Sequence, residues 1–254
     1  MSNANAQPRT LIVTGGGRGI GAAVAILGGV RGYAVAVNFK SDAAAAEGVV
    51  LEIVEAGGRA FSIQADVANE ADVTRLFEIA ERELGPITGL VNNAGITGGF
   101  SRVESVKAET LLQVLNVNVA GTILCAREAV RRMSTRNGGC GGAIVNVSSR
   151  AAEIGGGGEW VHYAASKGAV DTFTIGLARE VAAEGIRVNG VAPGLIETEL
   201  HATSGAPDRL SRLAPSIPMQ RAGTEQEVAE AVLWLLSPAA SYATGTIVQV
   251  SGGR

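Results

Sequence analysis

Short apolar runs alternate along the chain with longer stretches in which apolar positions recur every three or four residues. The first kind reads as buried strands and the second as amphipathic helices. "TLIVTG" (10–15) predicts a strand, followed by a helix from about Ile20 to Val30. "YAVAVNF" (33–39) predicts the second strand, and "AAAAEGVVLEIVEAG" (43–57) a helix that stops at Gly57-Gly58. "AFSIQAD" (60–66) leads to an acid-rich helix over 69–85, with Asn69 placed to cap it. "ITGLVNNAG" (87–95) is a fourth strand and turn, and one long helical stretch covers about 105–134. After the glycine-rich "NGGCGG" (137–142) come a strand at 143–149, a helix at 163–185 and a strand at 186–194. Residues 195–223 lack strong periodicity and hold Pro207, Pro215 and Pro218, which predicts a partly helical lid. A helix at 225–237 and a strand at 245–253 complete the chain.

Seven strands alternating with helices imply right-handed βαβ units. The expected architecture is a single α/β domain over residues 9–254, with a doubly wound, seven-stranded parallel sheet covered by helices on both faces. Residues 1–8 are polar and read as a disordered tail. No shift in composition marks a linker, and no internal repeat is visible.

Composition narrows the function without naming it. Of 254 residues, 46% are hydrophobic and 18% charged, which suits a globular enzyme and is too apolar for a disordered chain. A net charge of −3 leaves no basic footprint for nucleic acid. The first ten residues lack the apolar core of a signal peptide, and no uninterrupted apolar stretch approaches a membrane span. Two cysteines, Cys125 and Cys140, make no disulfide framework and have no metal-ligand spacing. These features predict a cytoplasmic chain with no membrane or nucleic-acid partner.

Two stretches carry chemistry. "TGGGRGIG" (14–21) lies between the first strand and the first helix. Gly15, Gly19 and Gly21, with Arg18 and Ile20 in the same turn, would let a pyrophosphate approach the backbone at a helix N-terminus, as in a Rossmann fold. "HYAASKG" (162–168) puts Tyr163 and Lys167 one helical turn apart. A phenol of ordinary pKa about 10 is protonated at neutral pH, and an adjacent ammonium would lower that value.

These motifs occur in order with "NNAG" (92–95), Ser149 and "PG" (193–194). In that arrangement the chain resembles the short-chain dehydrogenases/reductases, in their short single-domain branch. The resemblance runs from about residue 9 to residue 254 and looks closest to bacterial glucose-type dehydrogenases and 3-oxoacyl reductases. It implies hydride transfer between a nicotinamide dinucleotide and a carbonyl or secondary alcohol, by a homotetramer. It assigns Tyr163 as general acid/base and Lys167 as its electrostatic partner, which also holds the nicotinamide ribose. Ser149 would bind the substrate oxygen, with Ser148 as its neighbouring alternative. Asn118, matched as Asn-x-x-Gly with Gly121, would hold a water in the proton relay at a main-chain kink; Asn116 fits that pattern less well. The resemblance further places Asp66 and Val67 near the adenine. Asn92, Ala94 and Gly95 would lie along the cofactor ribose, although Asn92 or Asn93 could equally be a turn residue. Pro193, Gly194, Ile196 and Thr198 would flank the nicotinamide.

Charge argues for NADP(H) over NAD(H). The position that carries an acid in NAD-specific sites is Phe39, which cannot repel a 2′-phosphate. Arg18 and Lys40 can donate to that phosphate, with Ser41 a further contact. His162 adjoins Tyr163, but consecutive helical residues point about 100° apart, so it should face away from the cleft. Ile96, Phe100, Glu159, Trp160, Glu197 and His201 are candidates for the substrate end, and Trp234–Leu236 for core or a subunit interface. From a different class, a non-catalytic dinucleotide sensor or scaffold would fit the same fold. A sugar-nucleotide epimerase would share the Tyr/Lys pair but usually needs a larger C-terminal substrate domain.

Overall fold

The computed structural model describes residues 9–198 and 209–254. Its centre is one seven-stranded, all-parallel sheet in the order β3-β2-β1-β4-β5-β6-β7. The strands are β1 (Arg9–Val13), β2 (Tyr33–Phe39), β3 (Arg59–Gln64), β4 (Ile87–Asn92), β5 (Gly142–Val147), β6 (Ile186–Pro193) and β7 (Ile247–Val250). The helices are α1 (Gly19–Val30), α2 (Ala43–Glu55), α3 (Glu70–Leu84), α4 (Ala108–Leu115), α5 (Thr122–Met133), α6 (Ala151–Ile154), α7 (Val161–Val181), α8 (Arg209–Leu213) and α9 (Glu225–Leu236). The doubly wound α/β expectation is met.

The strands read as continuous apolar runs because both faces of the sheet are covered. Successive side chains enter two separate cores. Leu11, Val13, Val35, Val37 and Val145 pack towards the α1, α2 and α9 side. Ile12, Ala34, Ala36 and Ile144 pack with Phe77, Leu76, Met133 and Val181 on the other. Asn69 caps α3 as expected, accepting from the Asp72 amide at 3.2 Å. Thr224 and Glu227 close a reciprocal capping box at the start of α9.

The long helix expected over 105–134 is a continuous rod with an internal defect. Between α4 and α5, residues Asn116–Gly121 form a π-helical turn. By length and composition Ala108–Met133 could cross a bilayer. In this fold its α5 half lies on β4, β5 and α3, and its α4 half on α7. Between β5 and α7 the short α6 precedes a glycine-rich turn at 155–158. In the lid, Ile196 bridges to Gly223, and α8 is followed by a 3-10 turn at Ala214–Ser216. The expectations for residues 1–8, for Pro207 and for His201 fall outside the described residues. Strand order reverses between β1 and β4, and a crevice opens there at the carboxyl ends of the strands.

Candidate active site

The turn after β1 is shaped by its glycines and held by side chains from neighbouring strands. Gly15 and Gly19 have φ of +60° and +58°. A Cβ on Gly21 would stand 2.3 Å from the Gly15 carbonyl oxygen, so only glycine lets α1 start this close to the turn. Asn93 donates from Nδ2 to the carbonyls of Thr14 and Gly15, both at 3.0 Å. The Thr14 hydroxyl accepts the amides of Asn93 and Ala94 at 3.0 Å. Asn38 accepts the Gly15 amide at 3.2 Å and donates to the Ala65 carbonyl at 3.0 Å. Sequence reasoning passed over Thr14, Asn38 and this role of Asn93. Polar residues at apolar strand positions were the available signal, since buried polar groups need partners. The Arg18 side chain makes no cap bond to α1, and Gly19 and Ile20 at its start line the cleft.

The cleft has a volume of about 790 Å³. Gly15, Arg18, Gly19, Ile20, Phe39, Lys40, Ser41, Asp66, Val67, Ala94, Gly95, Pro193, Gly194, Ile196 and Thr198 all line it, with Ser149, Tyr163 and Lys167. Two expected contacts lie elsewhere. Gly21 is packed behind the turn. Asn92 is buried beneath the cleft, donating from Nδ2 to Asn146 Oδ1 at 2.9 Å and to the Thr122 carbonyl at 3.3 Å. Strand alternation turns it inward, and Asn93 takes the position on the cleft wall.

At one end, Lys40 is 2.7 Å from Asp66 in an ion pair. Asp42, also on the wall, is occupied in capping α2 through the Ala45 amide. Arg18 is exposed there, with no ion-pair partner among the described residues.

At the other end, Ser149 follows β5 and accepts the Ala151 amide at 3.1 Å. Tyr163 and Lys167 lie on the first turns of α7, and both are buried. Lys167 Nζ donates to the Val147 carbonyl at 2.7 Å and sits 5.8 Å from the Tyr163 ring centroid. Its burial lowers its pKa to about 8, against a smaller opposing pull from Asp171 one turn further along α7. Burial pushes the Tyr163 phenol above its ordinary value, while the Ser149 hydroxyl and the Arg209 charge draw it back. Lys167, expected to lower the phenol, is not among the groups that draw it down. The ammonium is engaged with a main-chain carbonyl, and desolvation outweighs the charges nearby.

Asn118 is fully buried, at the π turn. Its Oδ1 accepts the Ile96 amide at 2.8 Å, and its Nδ2 donates to the Ile96 carbonyl and Ser166 Oγ, both at 2.9 Å. It pins the strand-end loop to α7, while Asn116 is exposed. A Cβ on Gly95 would meet Asn118 Oδ1 at 3.3 Å and Lys167 Nζ at 3.5 Å, which places these two groups side by side. His162 faces away as expected, its Nε2 2.9 Å from the Thr97 carbonyl. Ile96, Glu159 and Trp160 line the substrate end, and Phe100 stacks on Trp160 at 4.6 Å. Glu197 is exposed outside the cleft. Leu235 and Leu236 are core, and Trp234 is 43% exposed. Arg150, Arg209 and Arg254 also line the substrate end. Sequence reasoning missed all three: Arg209 and Arg254 lie outside any periodic segment, and Arg150 lies in the turn between β5 and α6.

A doubly wound sheet with a glycine turn at its switch point defines a dinucleotide-binding class of α/β protein. A family model described as "Enoyl-(Acyl carrier protein) reductase" matches residues 15–254. Uncharacterized oxidoreductase YgfF of Escherichia coli (strain K12) is 53% identical over 96% of this chain and 98% of its own length. Glucose 1-dehydrogenase 2 of Bacillus subtilis (strain 168) is 37% identical over 96% of this chain and 94% of its own. A doubly substituted variant of a Serratia marcescens short-chain dehydrogenase/reductase superposes with a TM-score of 0.89 at 34% identity, covering 97% of this chain and 98% of that one. A blue fluorescent protein from a metagenomic library, in complex with NADPH, superposes with a TM-score of 0.88 at 34% identity, covering 96% of this chain and 97% of that one. The chain belongs to the short-chain dehydrogenase/reductase family of oxidoreductases, which use a nicotinamide dinucleotide.

Proposed function

We propose that this protein is an NADP(H)-dependent oxidoreductase acting on a small carbonyl compound or secondary alcohol, with Tyr163 as general acid/base. The reading is carried by one observation: Ser149, Tyr163 and Lys167 converge at the end of a cleft whose other end is the glycine turn. The cradle suits a pyrophosphate, since Gly15 and Gly19 take left-handed backbone that keeps side chains out of it and the start of α1 lines the cleft. Arg18 and Lys40 would hold the 2′-phosphate, and Lys167 the nicotinamide ribose. When bound, NADP(H) supplies or takes up the hydride.

The chain's own residues manage the oxygen. The Ser149 hydroxyl donates a hydrogen bond to the substrate oxygen and orients it. Tyr163 gives its proton to that oxygen as negative charge develops, and takes it back in the oxidative direction. Burial keeps the phenol protonated until a charged complex forms around it. Lys167 holds its ammonium one helical turn away on the Val147 carbonyl, where it would meet the nicotinamide ribose.

Replacing Tyr163 with Phe should lower NADPH-linked carbonyl reduction at least ~100-fold while NADPH binding, followed by fluorescence, persists. Undiminished turnover would remove Tyr163 from the mechanism. A non-catalytic sensor is disfavoured, because the proton-transfer groups would then be idle. The family resemblance also leads us to expect a cytoplasmic homotetramer, which light scattering of the purified protein would test.

A further inference from the structure

The substrate end of the cleft is built around a guanidinium. Arg209, the first residue of α8, reaches back to an ion pair with Glu159. Its guanidinium carbon lies 4.5 Å from the centroid of the Trp160 ring and 5.8 Å from that of Phe100. Trp160 in turn stands 5.6 Å from the Tyr163 ring. Two ring contacts therefore separate the reacting phenol from a fixed cation, a gap that a short carbon chain can span. Arg209 is 5% exposed, lines the cleft, and has a buried Nε with no hydrogen-bond partner among the described residues. A buried guanidinium with an unused donor is costly unless something accepts from it.

A second cation lines the same end. The Arg254 guanidinium has no ion-pair partner among the described residues. It is partly desolvated, repelled by Arg209 and Arg150 and attracted by Glu159. The Arg150 side chain is taken by Glu153 and by the Arg254 main-chain oxygen. Of the three guanidiniums at this end, Arg209 pairs with Glu159 and Arg150 with Glu153, and only that of Arg254 lacks a carboxylate partner among the described residues.

We propose that Arg209 and Arg254 form a carboxylate subsite, so that the substrate is an oxo acid or the corresponding hydroxy acid. Its carbonyl lies at Ser149 and Tyr163, its short apolar chain lies along Trp160 and Phe100, and its carboxylate lies at the two guanidiniums. This rests on the oxidoreductase reading above and adds the substrate class. Arg209 and Arg254 are specificity-determining residues in it, and Glu159 is the internal anion that the substrate carboxylate competes with.

The test compares 4-oxopentanoate with its methyl ester, using NADPH and the full chain. The wild type should favour the acid over the ester in kcat/KM by at least tenfold. Arg209→Gln and Arg254→Gln should each reduce that ratio by tenfold or more, chiefly through KM for the acid. Glu159→Gln should raise the ratio, because it removes the competing carboxylate. A purely structural role for the Arg209–Glu159 pair predicts that both of its variants impair acid and ester alike. Equal use of acid and ester by the wild type, or a fall in the ratio in Glu159→Gln, would overturn the subsite. Calorimetry with pentanoate on the NADPH-loaded protein separates this proposal from the activity itself. Binding weakened tenfold by either arginine substitution upholds the subsite even if no ketone is turned over, in which case only the oxidoreductase reading fails. No pentanoate binding by the wild type refutes the subsite whatever the turnover.

Discussion

Lys167 meets Tyr163 in a drier setting than an exposed i, i+4 pair provides. Its pKa of about 8 lies below the ordinary 10.5 because burial disfavours the ammonium. A lysine lowered in the folded state carries its full folding penalty below pH 8, and the penalty lifts as pH rises towards 10.5. Lys167→Met should therefore gain stability relative to wild type at pH 7, offset in part by the lost bond to the Val147 carbonyl. That relative gain should shrink by roughly 3 kcal/mol as the pH of paired urea titrations moves from 7 towards 10.5. A gap that stays constant with pH would show that the lysine is not desolvated. Arg18 is the other residue with a separable effect. Arg18→Ala should raise KM for NADPH by about 10-fold or more, the worth of a charge-assisted hydrogen bond of roughly 1.5–3 kcal/mol, and should move KM for NADH little. Steady-state titration of both cofactors measures it, and equal changes would remove Arg18 from the 2′-phosphate site.

Among the elements, the strands were the most legible. A parallel sheet covered on both faces demands unbroken β-branched and small apolar runs, and "TLIVTG" and "YAVAVNF" can hardly be read otherwise. The helix over 105–134 was legible in extent, and the kink inside it at Asn118 only through the family resemblance. One extra residue in the turn at Asn116–Gly121 leaves no mark in apolar spacing, and only packing against the Ile96 backbone and Ser166 selects it. Helix α9 shows local and tertiary signals agreeing. It packs along α1, and its first turn is closed by Thr224 and Glu227. Thr224→Ala should cost about 1 kcal/mol, read as a lower denaturation midpoint. No change would mean that packing on α1 holds the helix without its cap.

Across the whole molecule, the two faces of the sheet are secured differently. On the α3 and α5 side, the buried Glu128 carboxylate accepts from Arg131 and Arg132 at 2.7 Å and faces Arg127, which reaches Glu70 on α3. Burial raises the Glu128 pKa, but the three guanidiniums outweigh it and hold the carboxyl below its ordinary value of 4.5. A lowered carboxylate contributes stability above its unfolded pKa and loses it as pH falls through the folded one. Glu128→Leu should cost on the order of 2 kcal/mol at pH 7, less than for a fully buried pair because the arginine tips reach solvent. The difference from wild type should close below about pH 4.5 in parallel denaturation curves. A difference that persists in acid would assign the effect to packing.

The sequence by itself determined the doubly wound fold, the glycine turn, and the order in which Ser149, Tyr163 and Lys167 follow it. These depend on local periodicity and on motifs within a few residues, which one chain displays directly. The tertiary structure decided what depends on neighbours distant in sequence. It set Asn92 below the cleft and Asn93 on its wall, aimed the Lys167 ammonium at the Val147 carbonyl, and brought Arg209 to the Trp160 face and Arg254 to the same cleft. Burial and the packing of remote elements fix those placements, and neither leaves a period in the sequence.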